Sequence, residues 1–114
     1  MTKAVIPRIL ANKDIEEIID YYLAEQAEQA ALGFIDALEK AYACLSSHPA
    51  SGISRYAHEL SIPGLSCWPL RRYPYLVFYM EREDHIDVWR VLHGRYDIPE
   101  RVMERFCGPD FQLS

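Results

Sequence analysis

The sequence predicts an α+β fold in which an N-terminal strand and a helical hairpin pack on an antiparallel β-sheet. Two observations give this prediction. The first half of the chain carries apolar residues at helical spacing, whereas the second half carries short β-prone runs separated by turn residues. With 114 residues, 50% of them hydrophobic, the chain has the size of one domain and can bury a core. We therefore expect residues 1–114 to form a single domain.

The N-terminal region predicts one strand followed by an amphipathic helix. The strand spans Ala4–Leu10, and Pro7, which lacks a backbone donor, places it at a sheet edge or in a distorted stretch. Asn12 is a candidate N-cap for the helix. An apolar stripe at helical spacing follows, formed by Ile15, Ile18, Ile19 and Tyr22. This stripe predicts that one face of the first helix is buried.

A polar bend over Glu25–Glu28 separates the first helix from a second one. The second helix has an apolar seam with steps of four and three residues, formed by Ala27, Ala31, Phe34, Leu38, Ala41 and Leu45. Pro49 disfavours helical geometry at His48 and so ends the helix. The two helices are expected to form a hairpin that covers one face of the sheet.

Short extended runs fill the second half of the chain. The predicted strands are Tyr56–Ser61, Cys67–Arg72, Leu76–Arg82 and Ile86–Leu92. The run Tyr75–Met80 is continuously apolar, which predicts a central strand buried on both faces. Close spacing and short turns favour an antiparallel meander. A short last helix could open at Asp97–Glu100 and stop at Gly108-Pro109.

Composition and charge argue against several classes of function. No apolar run approaches the ~20 residues needed to cross a bilayer, and the N-terminus has no signal-peptide pattern, so we expect a cytoplasmic chain without membrane contact. The three cysteines lack metal-ligand spacing and are read as reduced thiols. The net charge of −5 disfavours a general nucleic-acid binder, although the arginines concentrate late in the chain.

Two clusters in the second half combine arginines with aromatic side chains. Their members are Trp68, Arg71, Arg72 and Tyr73 in the first, and Arg90, His93, Arg95 and Tyr96 in the second. Paired strands could bring both clusters near one sheet edge. Arginine forks suit phosphate or carboxylate groups, and aromatic rings can stack on bases. Ion pairing with Glu81, Glu83, Asp84 and Asp87 and ordinary core packing would use the same residue types.

His93 is a further candidate with two interpretations. It could act as a general acid or base, or it could cap a turn just before Gly94 through its ring nitrogens. The chain has no glycine-rich phosphate loop, no nucleophile elbow around a serine and no histidine pattern typical of a metal site. The residues alone therefore leave binding and catalysis open.

The order of several short motifs resembles the ParE/RelE superfamily of bacterial toxins, above all its ParE branch. The longest matching strings are Leu70-Arg71-Arg72-Tyr73-Pro74-Tyr75-Leu76-Val77-Phe78-Tyr79 and Ile86-x-Val88-x-Arg90-Val91-Leu92-His93-Gly94-Arg95-x-Asp97. Weaker matches are Asp14-Ile15-x-x-Ile18-x-x-Tyr21-Tyr22, Phe34-x-x-x-Leu38 and Leu45-x-x-x-Pro49-x-x-Gly52-x-x-Arg55. Their combined order and spacing, from Pro7 to Asp97, is the specific signal.

The resemblance implies a RelE-like fold, with an α-hairpin over a twisted antiparallel sheet. It also implies the toxin component of a bacterial type II toxin–antitoxin system that acts by protein binding, poisons DNA gyrase and so blocks replication. A cognate ParD-like antitoxin, a ribbon-helix-helix DNA-binding protein, would neutralise it in a hetero-oligomer. DNA would then be met only through the antitoxin. No cofactor or metal is implied.

The RelE-like branch offers an alternative, because its members cleave mRNA on the ribosome without a metal. The resemblance would then assign catalytic roles to Arg72, Arg90, His93, Arg95 and Tyr96. Tyr96 favours this alternative because ParE-like chains often have a second arginine there. The acidic net charge and the scarcity of lysines favour the binding toxin. For that toxin, the predicted contacts to antitoxin or target are Trp68, Arg71, Arg72, Tyr73, Arg90, His93 and Arg95.

Overall fold

A computed structural model describes residues 2–54, 57 and 61–94 of the chain, and its architecture confirms the predicted α+β class. The strands are β1 (Ala4–Pro7), β2 (Leu65–Pro69), β3 (Tyr75–Glu81) and β4 (His85–His93); the helices are α1 (Ile9–Ala24) and α2 (Glu28–Ser47), with a single 3₁₀ turn at Pro49–Ser51. The predicted last helix from Asp97 lies outside the described residues. Within them, no helix is long and apolar enough to cross a membrane.

The four strands form one mixed sheet in the order β1-β4-β3-β2. The pairs β2–β3 and β3–β4 are antiparallel, which confirms the predicted meander. The N-terminal strand β1 adds a parallel pair with β4 over Ala4–Pro7, so the sheet is mixed rather than antiparallel throughout. The helical hairpin explains this difference, because parallel neighbours need a long crossover between them. As Pro7 predicted, β1 lies at an edge.

The boundary between β1 and α1 differs from the prediction. The strand ends at Pro7 rather than Leu10, and α1 begins at Ile9, three residues before the predicted N-cap Asn12. The backbone N–H of Arg8 donates to Val88 O at 2.9 Å, and Asn12 N–H donates to Arg8 O at 3.0 Å. The backbone contact between Arg8 and β4 therefore fixes where the helix starts, and this overrides the local capping signal of Asn12.

The helical hairpin follows the predicted stripes closely. Five of the six seam residues of α2 are buried: Ala31, Phe34, Leu38, Ala41 and Leu45. In α1, Ile18 is buried, and Ile15, Ile19 and Tyr22 pack against the same core. The bend between the helices contains Gln26 at φ 58°, and α2 ends at Ser47, before Pro49, as predicted. We call the buried cluster between the helices and the sheet the helix-face core. It contains Ile18 from α1, Phe34, Leu38 and Leu45 from α2, and Val77 and Val88 from the sheet.

A second core covers the opposite face of the sheet and includes Leu65, Phe78 and Trp89. Because β3 contributes to both cores, its burial on both faces is confirmed. A bulge in β4 shifts the register against β3 between Phe78 and Tyr79. The extra residue lets Val88 and Val91, three positions apart, both contribute to the helix-face core.

The predicted strand Tyr56–Ser61 is not confirmed at its described positions. Ala57 is helical and Ser61 lies in a turn at φ 55°. Ala57 N–H donates to Ser54 O, and Ile62 N–H donates to Ala57 O, each at 3.0 Å. Ala57 and Ile62 pack on the opposite-face core. Ala57 and Ile62 therefore help to cover a face that would otherwise expose Phe78 and Trp89 to solvent.

Candidate functional site

The described parts of the two predicted clusters lie at the same end of the sheet. In the register, Pro69 pairs with Leu76 in β2 and β3, and Tyr75 pairs with His93 in β3 and β4. Gly94 N–H donates to Pro74 O at 2.8 Å, which closes this end. The expected proximity of the clusters is therefore confirmed for the described residues. Arg95 and Tyr96 lie outside them.

Arg71 and Arg72 occupy the tight turn that joins β2 to β3. Leu70 N–H donates to Tyr75 O at 3.0 Å across this turn, which shows why the predicted strand Cys67–Arg72 ends early at Pro69. Both arginines are exposed, and neither forms an ion pair with a described residue. Arg72 has φ 68°, a left-handed conformation that costs a non-glycine residue about 1 kcal/mol or more. The turn therefore presents two guanidinium groups that have no ion-pair partner in the described part of the chain.

Tyr73 fixes this arginine turn against the helical hairpin. Its hydroxyl donates to Ala30 O at 3.0 Å, and its ring lies edge-on to Tyr22 and Phe34, each with 6.0 Å between centroids. Gly33 makes room for it, since a Cβ on Gly33 would lie 2.2 Å from the Tyr73 hydroxyl oxygen. The sequence offered a signal for this contact, because a glycine inside a helical run often marks a close approach.

The two aromatic residues among the predicted contacts, Trp68 and Tyr73, are only partly exposed. Trp68, like Tyr73, is half-buried and packs against the helix-face core. Their rings contribute to the fold as well as to the surface at this end of the sheet. The arginines of the turn, rather than these rings, are its freely accessible groups.

Arg90, one of the residues predicted to contact antitoxin or target, is buried and does not lie on the surface. Its Nε and Nη2 donate to the two carboxylate oxygens of Asp14 on α1, and both side chains are more than nine-tenths buried. Asp14 Oδ2 also accepts the Val91 N–H at 3.1 Å. The sequence interpretation missed Asp14, although the residue stands on the buried side of α1 between Ala11 and Ile18. A carboxylate in such a position needs a cationic partner.

His93 stands at a cleft between α1 and the ends of β3 and β4. The cleft has a volume of about 430 Å³. We call it the α1 cleft; its lining residues are Asp14, Glu17, Ile18, Tyr21, Tyr22, Pro74, Tyr75, Val91, Leu92 and His93. The His93 ring lies edge-on to Tyr75, with 5.3 Å between centroids and 81° between the planes. His93 is therefore held in place beside a concave surface that a partner can enter.

A second set of arginines is used in ion pairing at the other end of β4. Asp87 accepts hydrogen bonds from Arg8 at 2.9 and 2.8 Å, from Arg82 at 3.2 and 3.0 Å and from Trp89 Nε1 at 3.1 Å. The Arg8 guanidinium also lies 4.6 Å from the Trp89 ring centroid. Burial works against the charged form of Asp87, but the hydrogen bonds from Arg8 and Arg82 prevail and lower its pKa. At this position, ordinary ion pairing is the correct interpretation.

The nuclease alternative can be compared with the geometry only at Arg72, Arg90 and His93, because Arg95 and Tyr96 lie outside the described residues. Of the proposed nuclease set, Arg72 projects from the turn, Arg90 is neutralised inside the fold and His93 lies at the α1 cleft. No cluster of metal-ligating side chains occurs among the residues that the structure describes. What this end of the sheet offers is a cationic turn beside an aromatic cleft, which suits the binding of another macromolecule.

Comparisons with known proteins agree with this fold. The family model for the ParE toxin of type II toxin–antitoxin systems (parDE) matches residues 5–98. A solved structure described as the chromosomal ParDE TA system from P. aeruginosa is similar in fold, with a TM-score of 0.66 and 18% identity; the match covers 81% of this chain and 96% of that chain. No curated protein matches the sequence. The resemblance read from the motifs is confirmed, and the chain belongs to the family of ParE toxins of type II toxin–antitoxin systems.

Proposed function

We propose that this toxin acts by protein binding in the bacterial cytoplasm, where it poisons DNA gyrase and blocks replication until a ParD-like antitoxin neutralises it. Family membership supports the toxin role. The observation that carries the binding mechanism is the buried pair between Arg90 and Asp14. A guanidinium already paired with a carboxylate inside the fold is a poor stabiliser of a developing phosphate charge.

The arginine turn supports the neutralisation step. Arg71 and Arg72 are exposed and lack partners among the described residues, so an acidic antitoxin segment would meet two unpaired cations there. Charge-assisted pairing of this kind favours arginine, and arginine is enriched among the residues that dominate binding energy. The rigid attachment of the turn through Tyr73 reduces the conformational entropy lost on binding.

A supercoiling assay tests the proposed target. Purified gyrase, relaxed plasmid and ATP are incubated with increasing amounts of the toxin. We expect supercoiling to fall and cleaved plasmid to accumulate as toxin is added. The folded double variant Arg71→Ala/Arg72→Ala is assayed in parallel, which separates the surface chemistry of the turn from folding. Full supercoiling activity in an excess of folded toxin would exclude gyrase as the target.

The ribonuclease alternative remains testable through the position of His93 at the α1 cleft. The purified chain is incubated with ribosomes programmed with mRNA, and cleavage in the A site is mapped by primer extension. Our proposal expects no cleavage. Cleavage that disappears in a folded His93→Gln variant would instead assign the chain to the ribosome-dependent nucleases. Induced expression without growth arrest would favour a third class, a binding module without toxicity.

Isothermal titration calorimetry with the protein encoded next to the toxin tests the antitoxin contact. We expect Arg71→Ala together with Arg95→Ala to weaken binding, since both positions belong to the predicted contact set. Exchanging Lys40, which already pairs with Asp36 on α2 at 3.0 Å, for alanine is the matched loss of a cation elsewhere. Equal affinities of the double variant and the native chain would remove these arginines from the interface.

A further inference from the structure

The α1 cleft differs in charge from the arginine turn beside it. Of its lining residues, Asp14 and Glu17 are acidic, and none is a lysine or an arginine. Both oxygens of Asp14 are occupied by Arg90, so this acid is neutralised. Glu17 is exposed and forms no ion pair with a described residue. Among the described residues, the cleft therefore carries one carboxylate without an ion-pair partner, that of Glu17.

The walls of the cleft are flat and aromatic. Tyr21 stands one helical turn after Glu17 on α1, and more than half of its surface is exposed, at 57%. Tyr22 lines the cleft from α1, and Pro74 and Tyr75 line it from the side of the sheet. Edge-on packing of Tyr75 against both Phe34 and His93 holds its ring in place. These surfaces suit a planar group that can stack and still carry positive charge.

We propose that the α1 cleft binds an arginine side chain presented by the antitoxin, with Glu17 pairing with the guanidinium group and Tyr21 stacking against it. A volume of about 430 Å³ accommodates one long side chain together with part of its backbone. Arginine fits better than lysine because its fork can pair with the carboxylate while its face lies on a ring. The identity of the partner rests on the proposed function; the chemistry of the cleft does not.

The proposal gives the antitoxin segment a charge order. Pro74 belongs to the turn that carries Arg71 and Arg72, and it also lines the α1 cleft. A bound segment would place acidic residues at the turn and an arginine in the cleft. A uniformly acidic tail would satisfy the turn alone and would meet Glu17 as a like charge. Two neighbouring sites of opposite sign thus provide register and selectivity among related antitoxins.

Nuclear magnetic resonance with the ¹⁵N-labelled full chain tests the cleft with a simple probe. N-acetyl-argininamide is titrated against the native toxin, and N-acetyl-citrullinamide, which has the same shape without the charge, is titrated in parallel. We expect amide shifts at Tyr21, Val91 and His93 with the arginine probe and much smaller shifts with the citrulline probe. Glu17→Gln should weaken arginine binding about fivefold, the size expected of one exposed ion pair.

Glu39→Gln provides the matched control, because Glu39 is an exposed carboxylate on α2 that does not line the cleft. Binding that Glu17→Gln and Glu39→Gln reduce equally would reflect net charge alone and overturns the proposal. Absence of shifts at the cleft overturns the proposal as well. The same result would follow if residues 95–114 of the same chain occupied the cleft. A failed titration beside a positive supercoiling assay refutes only the cleft assignment, so the two proposals fail independently.

Discussion

Breaking the buried pair between Asp14 and Arg90 from one side should cost more stability than breaking any other single ion pair that the structure describes. Asp14→Asn keeps the size of the side chain but leaves the Arg90 guanidinium buried without its counter-charge. The exposed fractions are 9% for the Arg90 side chain and 6% for that of Asp14, so water cannot compensate. Breaking such a pair from one side typically costs about 3–5 kcal/mol. Small domains have only about 5–15 kcal/mol in total, so the variant should lose a large share of its stability.

Urea unfolding followed by circular dichroism measures this loss. Asp36→Asn makes the same chemical change in the pair with Lys40, where the exposed fractions are 61% and 75%. Water screens that pair, so we expect a loss of about 0.5 kcal/mol or less. For Asp14→Asn, the melting temperature in thermal unfolding should fall by about 10–20 °C for a chain of this size.

A double variant separates the buried charge from the packing around it. Asp14→Leu combined with Arg90→Met removes both charges and keeps apolar volume, and it should recover most of the stability lost in Asp14→Asn. The reasoning is refuted if Asp14→Asn and Asp36→Asn unfold within about 0.5 kcal/mol of each other, which is the resolution of such comparisons. In that case the pair would contribute no more than a surface pair.

Three further predictions follow from other contacts. Gly33→Ala should lower the free energy of unfolding in urea by about 1–3 kcal/mol, because its new Cβ would lie 2.2 Å from the Tyr73 hydroxyl oxygen. Adding Tyr73→Phe should recover part of this loss. An unchanged free energy of unfolding in Gly33→Ala would contradict the contact. Tyr42→Phe should leave the melting temperature unchanged or raise it, since the buried hydroxyl finds no partner among the described residues and burial raises the pKa of Tyr42 to about 12; a clear fall would reveal a hidden partner. Because the pKa of Asp87 is lowered from 3.8, the unfolded chain binds the proton first, so the stability contributed by Asp87 is full above about pH 5 and is lost as the pH falls through the lowered value. Asp87→Asn should therefore flatten the acid limb of the stability curve, and an unchanged acid limb would refute this assignment.

The sequence predicted those features that depend on periodicity. The seam of Phe34 and Leu38 is confirmed, and so is the burial of β3 on both faces, with Val77 in one core and Phe78 in the other. Spacing alone determines which face of an element is apolar. Partners are not encoded in spacing. Nothing local to Asp14 indicates that its carboxylate meets Arg90, a residue 76 positions away. The predicted contact of Arg90 with antitoxin or target therefore did not include its pairing with Asp14.

Boundaries failed for a related reason. Asn12 is a good local cap, but the chain reverses earlier because Arg8 is tied to β4 through its backbone and through Asp87. The segment containing Ala57 was read as a strand because its composition allows one. Ala57 packs instead on the opposite-face core. That contact depends on sheet residues far away in the sequence, which a local pattern does not reveal.

Asp14 stabilises the fold and also lines the α1 cleft, the proposed binding site. Asp14 and Val91 line the cleft together with Glu17 and Tyr21, and the hydrogen bond from Val91 N–H to Asp14 Oδ2 joins β4 to α1. Loss of Asp14 would therefore change the spacing between helix and sheet, and any effect on partner binding would be indirect. Substitutions at Glu17 or in the arginine turn change surface charge while leaving this joint intact. Binding measurements on such surface variants, made at equal folded fraction, are consequently the ones that can distinguish recognition from folding in this toxin.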